Sequence, residues 1–325
     1  MAVPSSGVLT LEGIAQEALY GTYGSGTITA PIHMYDLVNG GNSAGSGNSY
    51  PTVNTACIPN PTTRNGVLFA QTTSTDSAFD FILGTVEVAI STTIVIVSGG
   101  QTYTQTKTLD GNTNTTFTFN ISNNTGTANI YIDSASAPQI VNVDLRYCSL
   151  VFFDATIFSD VESLHLAGSP NLTYLNITNL AWLKYLYVFA TGLTSLDPTN
   201  CGRLILLNIQ TTPMTSIDLS NNVNLTVFTN ISGNILSPVL PASVIFVELS
   251  QGVTSLDISL NTEILELYFE SSALSSASVD DVYIQLNSHG LSNGDLRARF
   301  QTNTRTSASN TARAALITKG WDISD

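Results

Sequence analysis

The sequence predicts a mainly β protein: an N-terminal anchor segment, a small β-sandwich, then a solenoid of short repeats closed by an α-helical C-terminal cap. Three observations carry this reading. Apolar and polar residues alternate between about residues 85 and 133, the period of a half-buried strand. From residue 140 the pattern apolar-x-x-apolar-x-apolar returns about every 21 residues. Only 10% of residues are charged, which leaves a surface built mostly of Ser, Thr, Asn and Gly. The corresponding boundaries are 1–50, 51–137, 138–274 and 275–325.

Composition excludes several function classes. Ten Lys and Arg face 24 Asp and Glu, a formal charge of -14, so the chain repels phosphate backbones and anionic membranes alike. No nucleic acid partner is expected, and no membrane insertion, because no apolar stretch approaches the roughly 18 residues of a membrane span. Mean hydropathy is nevertheless +0.19, so there is ample material for a core. Cys57, Cys148 and Cys201 are odd in number and widely spaced, and read as free thiols. The opening residues lack a basic region followed by an apolar one, which predicts a chain made and kept in the cytosol.

Taken in order, residues 11–19 form a short helical candidate with Leu11, Ile14 and Leu19 on one face. Tyr20 and Tyr23 lie in a Gly-rich stretch, Met34, Tyr35 and Leu37 in a second small apolar piece, and residues 39–49 (NGGNSAGSGNS) form a flexible linker. These eight side chains are the expected docking residues of a tethered N-terminus. Residues 50–84, with Pro51, Pro59 and Pro61, predict edge strands or an extended arm. Strands are expected at 86–90, 93–97, 102–109, 116–121 and 128–132, separated by turns such as Ser98-Gly99-Gly100.

The repeat pattern begins at Ile140, Val161, Leu183, Leu204, Leu225, Val244 and Ile264. A second copy sits half a repeat later, at Leu172, Leu193, Met214 and Val253, so each coil is expected to carry two inward-facing edges. One coil cannot bury its own apolar side chains, whereas stacked coils make a continuous core. The segments LTSLDPTNCGRL, MTSIDLSNNVNL and VTSLDISLNTEI resemble the leucine-rich-repeat family. The resemblance implies a binding scaffold, with Cys201, Asn222 and Asn261 as the structural ladder that satisfies buried backbone groups at each bend. Leu180 departs from the ladder, and Pro238 predicts an irregular coil near residues 235–243.

Residues 279–288 fit a helix with Ser278 as N-cap and Gly290 as stop, and 308–319 a second ending at Gly320. Together they form the C-terminal cap on which Trp321 and Ile323 pack. The β module or residues 138–160 must cover the other end.

No enzyme, cofactor or metal signature accompanies His33, His165 and His289, so no catalytic residue is expected. His165 alternates with Leu164 and Leu166 and should point outward as a solvated side chain. Asp197, Asp218 and Asp257 recur at one repeat position; they predict either solvated turn caps or an acidic ladder for calcium. Trp182, Tyr185, Tyr187 and Tyr268 are the candidate ligand-binding residues, since outward aromatics on a repeat face serve glycan or protein recognition, or simply cover the surface.

The opening MAVPSSGVLTLEGIAQEALYGTY, followed by PIHMYDLVNGGNSAGSGNSY, resembles the N-terminal segment of virion structural proteins of tailed phages, particularly those of Bacteroidetes-type hosts. The resemblance implies a fibre, appendage or decoration protein, localised to the virion after assembly in the host cytoplasm. Its partners would be other virion proteins through the N-terminus and a host-surface glycan or protein through the repeats. A homo-trimer is the expectation for such appendages, although no long heptad run supports one. Two alternatives stay open: a capsid or tail component whose repeats contact only neighbouring virion subunits, and a bacterial leucine-rich-repeat interaction protein.

Overall fold

A computed structural model describes residues 66–325 except 74–77, 86–88, 112–113, 122–126, 251 and 300–302. The expected docking residues Leu11, Ile14, Leu19, Tyr20, Tyr23, Met34, Tyr35 and Leu37, together with His33 and Cys57, lie outside the described residues. Everything below belongs to the unit Asn65–Asp325.

This unit is mainly β, a solenoid of short parallel coils with a small helical C-terminal region. The sandwich strands are β1 (Gly66–Thr72), β2 (Ala78–Gly84), β3 (Ile90–Ser98), β4 (Gln101–Leu109), β5 (Thr115–Asn120) and β6 (Ala128–Asp133). The repeats follow with β7 (Asn142–Asp144), β8 (Leu150–Asp154), β9 (Ser163–His165), β10 (Tyr174–Asn176), β11 (Tyr185–Tyr187), β12 (Leu206–Asn208), β13 (Val227–Asn230), β14 (Phe246–Ser250) and β15 (Glu266–Glu270). The end region holds α1 (Ser276–His289), β16 (Asp295–Arg297), α2 (Asn310–Thr318) and β17 (Asp322–Ser324).

Two sheets form, in the orders β10-β8-β1-β6-β3-β4 and β17-β16-β15-β14-β13-β12-β11-β9-β7-β2-β5. From β7 to β17 the second sheet is parallel and in register, so Val143, Leu164, Leu186, Leu207, Phe228, Val247, Leu267, Leu296 and Ile323 form one inward ladder. All are buried but Ile323, which is half-buried. The three-residue strands suffice because each inward side chain packs on its equivalents in the coils above and below.

Both sheets contain strands from either side of the expected boundary at residue 138. β2 pairs antiparallel with β7, and β1 pairs antiparallel with β8, so the sandwich covers the first coil by continuing its sheets. β1 and β2 are therefore neither edge strands nor an arm. β1 lies between β8 and β6, and β2 between β7 and β5. The open side between β4 and β5 is closed by side chains: Gln105 Nε2 donates to the Thr118 carbonyl and Lys107 Nζ to that of Thr116 at 2.6 Å. Occupying edge carbonyls in this way blunts a strand that would otherwise invite pairing.

The second edge of each coil differs from expectation. Its apolar residues Leu172, Met214, Leu219, Val253 and Ile258 are buried. Strands form there only as β8 and β10, which pair parallel, and a lone bridge joins Asp218 to Val239. Asp197, Asp218 and Asp257 each accept the backbone N–H two residues on, from Thr199, Ser220 and Ser259 at 2.9–3.0 Å, and so cap the turn that follows; Asp154 and Asn176 do the same at the ends of β8 and β10. Around Pro238, residues 231–245 contain no strand beyond that bridge.

A second backbone device recurs just after the main strands. Ala190, Thr211, Ser232 and Ser271 all take positive φ, between 53° and 57°, as does Gly168 at 73°. The residue that follows buries a hydroxyl in two successive coils: Thr191 Oγ1 donates to the Val188 carbonyl at 2.7 Å and Thr212 Oγ1 to that of Ile209 at 2.8 Å.

At the C-terminal end α1 is capped by Ser275, not Ser278. Ser278 N–H donates to Ser275 Oγ at 3.1 Å, and Gly290 closes the helix at φ 77°. The region is also more than helical. β16 and β17 extend the parallel sheet by two strands, with α1 connecting β15 to β16 and α2 connecting β16 to β17. Trp321 is buried and its Nε1 donates to the Leu291 carbonyl at 3.0 Å.

Candidate recognition surfaces

The parallel sheet places side chains one and three of each strand on its outer face. Beside β9 and β11 this face is aromatic. Tyr185 and Tyr187 stand on one strand, and Phe189 follows two residues on. His165, level with Tyr187 on the neighbouring strand, stacks on its ring at 4.6 Å and meets the Phe189 edge at 5.8 Å. His165 does point outward, but it is half-buried and not a freely solvated side chain. Its Nε2 is buried without a hydrogen-bond partner, and burial pushes the imidazole pKa down to about 4. Leu206, Val227 and Phe246 continue the apolar face along the next three strands, each half-buried.

Toward β15–β17 the same face becomes charged. The Tyr268 hydroxyl lies 2.9 Å from both Glu266 Oε2 and Asp295 Oδ2 and donates to one or the other. Arg297 sits 4.2 Å over its ring and Phe246 meets it edge-on at 5.3 Å. Burial and the two carboxylates raise the Tyr268 pKa, and burial raises that of Glu248 beside it. Tyr268 lies four strands from Tyr187, on the order of 19 Å at 4.8 Å per strand, so one small ligand does not span them.

Trp182 belongs to neither patch. It precedes β11, is 44% exposed, and carries the Arg203 guanidinium 3.7 Å over its ring. Arg203, Lys184, Ile205, Asn224 and Thr226 line a groove of about 440 Å³ at this margin of the sheet. Of these five residues, none stood out in the sequence. The lining comes from three coils about 20 residues apart, and the only local signal is two cations in a long stretch without others.

Asn222 is buried and its Nδ2 donates to the carbonyls of Pro198 at 2.9 Å and Cys201 at 3.2 Å. Asn261 does the same for Pro241 at 2.7 Å and Leu240 at 3.4 Å. Cys201 places its Sγ 3.9 Å from the Ile177 carbonyl, and burial pushes its thiol up to about 11. The three Asp carboxylates sit below the usual range because of the turn bonds they accept. Among the described residues no group of three His, Cys, Asp or Glu is placed to hold a metal ion, and no helix is long and apolar enough to cross a membrane.

No protein-family model matches the chain, and no curated protein matches it. Solved structures of Listeria monocytogenes internalins do. The functional domain of InlJ, which includes a cysteine ladder, is similar at 18% identity and TM-score 0.31, over 49% of this chain and 45% of that one. This chain thus spans less than half of the InlJ domain. Internalin C2 is similar at 12% identity and TM-score 0.45, over 60% of this chain and 84% of that one, and InlF at 12% and 0.19, over 60% and 89%. Likeness at this level concerns the fold alone.

Proposed function

We propose that the protein is a non-enzymatic recognition scaffold carried on the particle of a tailed phage. Residues 1–50 dock to other virion proteins, and the outer face of the solenoid sheet meets a host-surface protein or glycan. The observation that carries the recognition role is the aromatic patch of Tyr185, Tyr187 and Phe189, with Leu206 and Phe246 beside it. It lies on a parallel sheet whose inner face is fully packed, so the patch is presented rigidly and loses little entropy on binding. The virion placement is supported by the resemblance of the opening 50 residues and by a weakly charged, Ser/Thr/Asn-rich surface. Multivalent display on a particle would amplify a weak single-site affinity.

The test is immunogold labelling of intact particles with antibody raised against the full chain. Label at one defined position is the expected result and distinguishes head from tail. Particles that stay unlabelled, while the antibody binds purified protein, would move the assignment to a bacterial leucine-rich-repeat interaction protein.

A further inference from the structure

The geometry points to a binding site for a carboxylate-bearing saccharide in the groove lined by Lys184, Arg203, Ile205, Asn224 and Thr226, next to Trp182. The inference rests on the recognition role above and names a ligand class for a surface distinct from the aromatic sheet face.

Charge is the first argument. Between Arg146 and Arg297 the chain has only two cations, Lys184 and Arg203, and both line this groove on neighbouring coils of an otherwise acidic protein. Lys184 is paired with Glu162 at 2.8 Å, so its charge is largely balanced. Arg203 has no carboxylate or carbonyl partner among the described residues. Its guanidinium carbon sits 3.7 Å from the centre of the Trp182 ring, a cation–π contact that holds the fork in place and leaves its N–H groups to a ligand. A planar carboxylate matches that fork with two parallel hydrogen bonds.

The other lining groups choose between anions. Asn224 Nδ2 is already donating to the Gly202 carbonyl at 2.7 Å, leaving its Oδ1 to accept. Thr226 Oγ1 makes only a long bond, 3.4 Å, to the Ile205 carbonyl and keeps acceptor capacity as well. Acceptors beside a lone guanidinium suit a ligand that brings hydroxyl donors together with its carboxylate. An acidic sugar does so, and the exposed indole and Ile205 offer apolar surface to its C–H face. An acidic peptide brings carboxylates and backbone N–H donors but no sugar C–H face for the apolar surface. The groove, about 440 Å³ and open to solvent along one side, takes one or two sugar rings.

Two tryptophans make the test direct, because Trp321 is buried in the end region and Trp182 is exposed. The full chain would be titrated with 3′-sialyllactose and a galacturonate trimer, and with lactose and a neutral galactose trimer, followed by tryptophan emission and calorimetry. The expected result is saturable binding of at least one carboxylated sugar, with its neutral counterpart weaker by about tenfold or more. Arg203→Gln should lose about the same factor and Arg203→Lys less. Three results would overturn the inference: no carboxylated sugar binds, neutral sugars or Arg203→Gln bind equally well, or oligoglutamate binds as tightly as the sugars. Blocking of phage adsorption by the same preparations separates the two claims. A chain that blocks adsorption yet binds no sugar retires the groove and keeps the recognition role, whereas a chain that binds the sugar but never blocks retires adsorption and keeps the groove.

Discussion

Replacing Asn222 by Ala removes the amide that joins two coils. Asn222 Nδ2 donates to the buried carbonyls of Pro198 and Cys201, and its loss deletes two hydrogen bonds, each worth about 0.5–1.5 kcal/mol net. Both carbonyls keep one partner, the N–H groups of Cys201 at 2.8 Å and Leu204 at 3.0 Å, so neither is stranded and the full desolvation cost does not apply. The expected loss is about 1–3 kcal/mol. For a unit of about 260 residues, an unfolding entropy near 2.1 cal/mol/K per residue converts this to a Tm drop of about 2–5 °C. Asn222→Asp should be worse, because a buried carboxylate cannot donate and would face two carbonyl oxygens. Asn224→Ala is the control: its bond to Gly202 is exposed and should cost within about 0.5 kcal/mol. Calorimetric melting of the three variants gives the answer. Asn222→Ala and Asn224→Ala melting together at the wild-type temperature would refute the ladder's role in holding coils in register.

Other consequences follow from the same structure. Thr211 is β-branched yet sits at φ 55°, so Thr211→Gly should stabilise the protein by up to about 1 kcal/mol, read as a higher urea midpoint. His165 should titrate by NMR near 4 rather than 6.5; because its folded pKa is depressed, the stability it contributes is present above the unfolded pKa and is lost as pH falls through 4. Tyr187→Ala, which uncovers the ring, should move that value back toward 6.5. Asp325 is held down to about 2, first by Arg313 and then by Arg305 and Tyr283, against burial, which opposes the shift. Its contribution is present above the usual carboxylate pKa and lost as pH falls through 2, so Asp325→Asn should be less stable than wild type at neutral pH and converge with it in strong acid.

The sequence and the structure agree where the periodicity is long. Leu164, Leu186, Leu207 and Leu267 recur at the period of a stacked coil, and the inward ladder follows from them. β1 was illegible because its register with β6 shifts between Leu68 and Ala70, which breaks the period of two within a seven-residue strand. The joining of sandwich and coil sheets depends on pairings such as Leu83 with Val143, about 60 residues apart, which no local pattern encodes. β16 and β17 are three residues each, too short to show alternation. At the candidate surfaces, alternation correctly turned His165, Tyr185 and Tyr187 outward. It was silent on burial, since the ring that covers His165 comes from a strand 22 residues further on. Ser275 and Ser278 are chemically equivalent N-caps, and only the backbone geometry shows that Ser275 accepts the bond.

The most direct test of the recognition surface is competition for host-cell adsorption by the purified full chain and by a Tyr185→Ser/Tyr187→Ser variant whose melting temperature matches wild type. Both side chains are outside the core, so the fold should survive their removal. The predicted result is that wild type blocks adsorption and the variant requires about tenfold more protein or fails to block. Equal blocking by the two would contradict the assignment of the aromatic sheet face as the surface that meets the host.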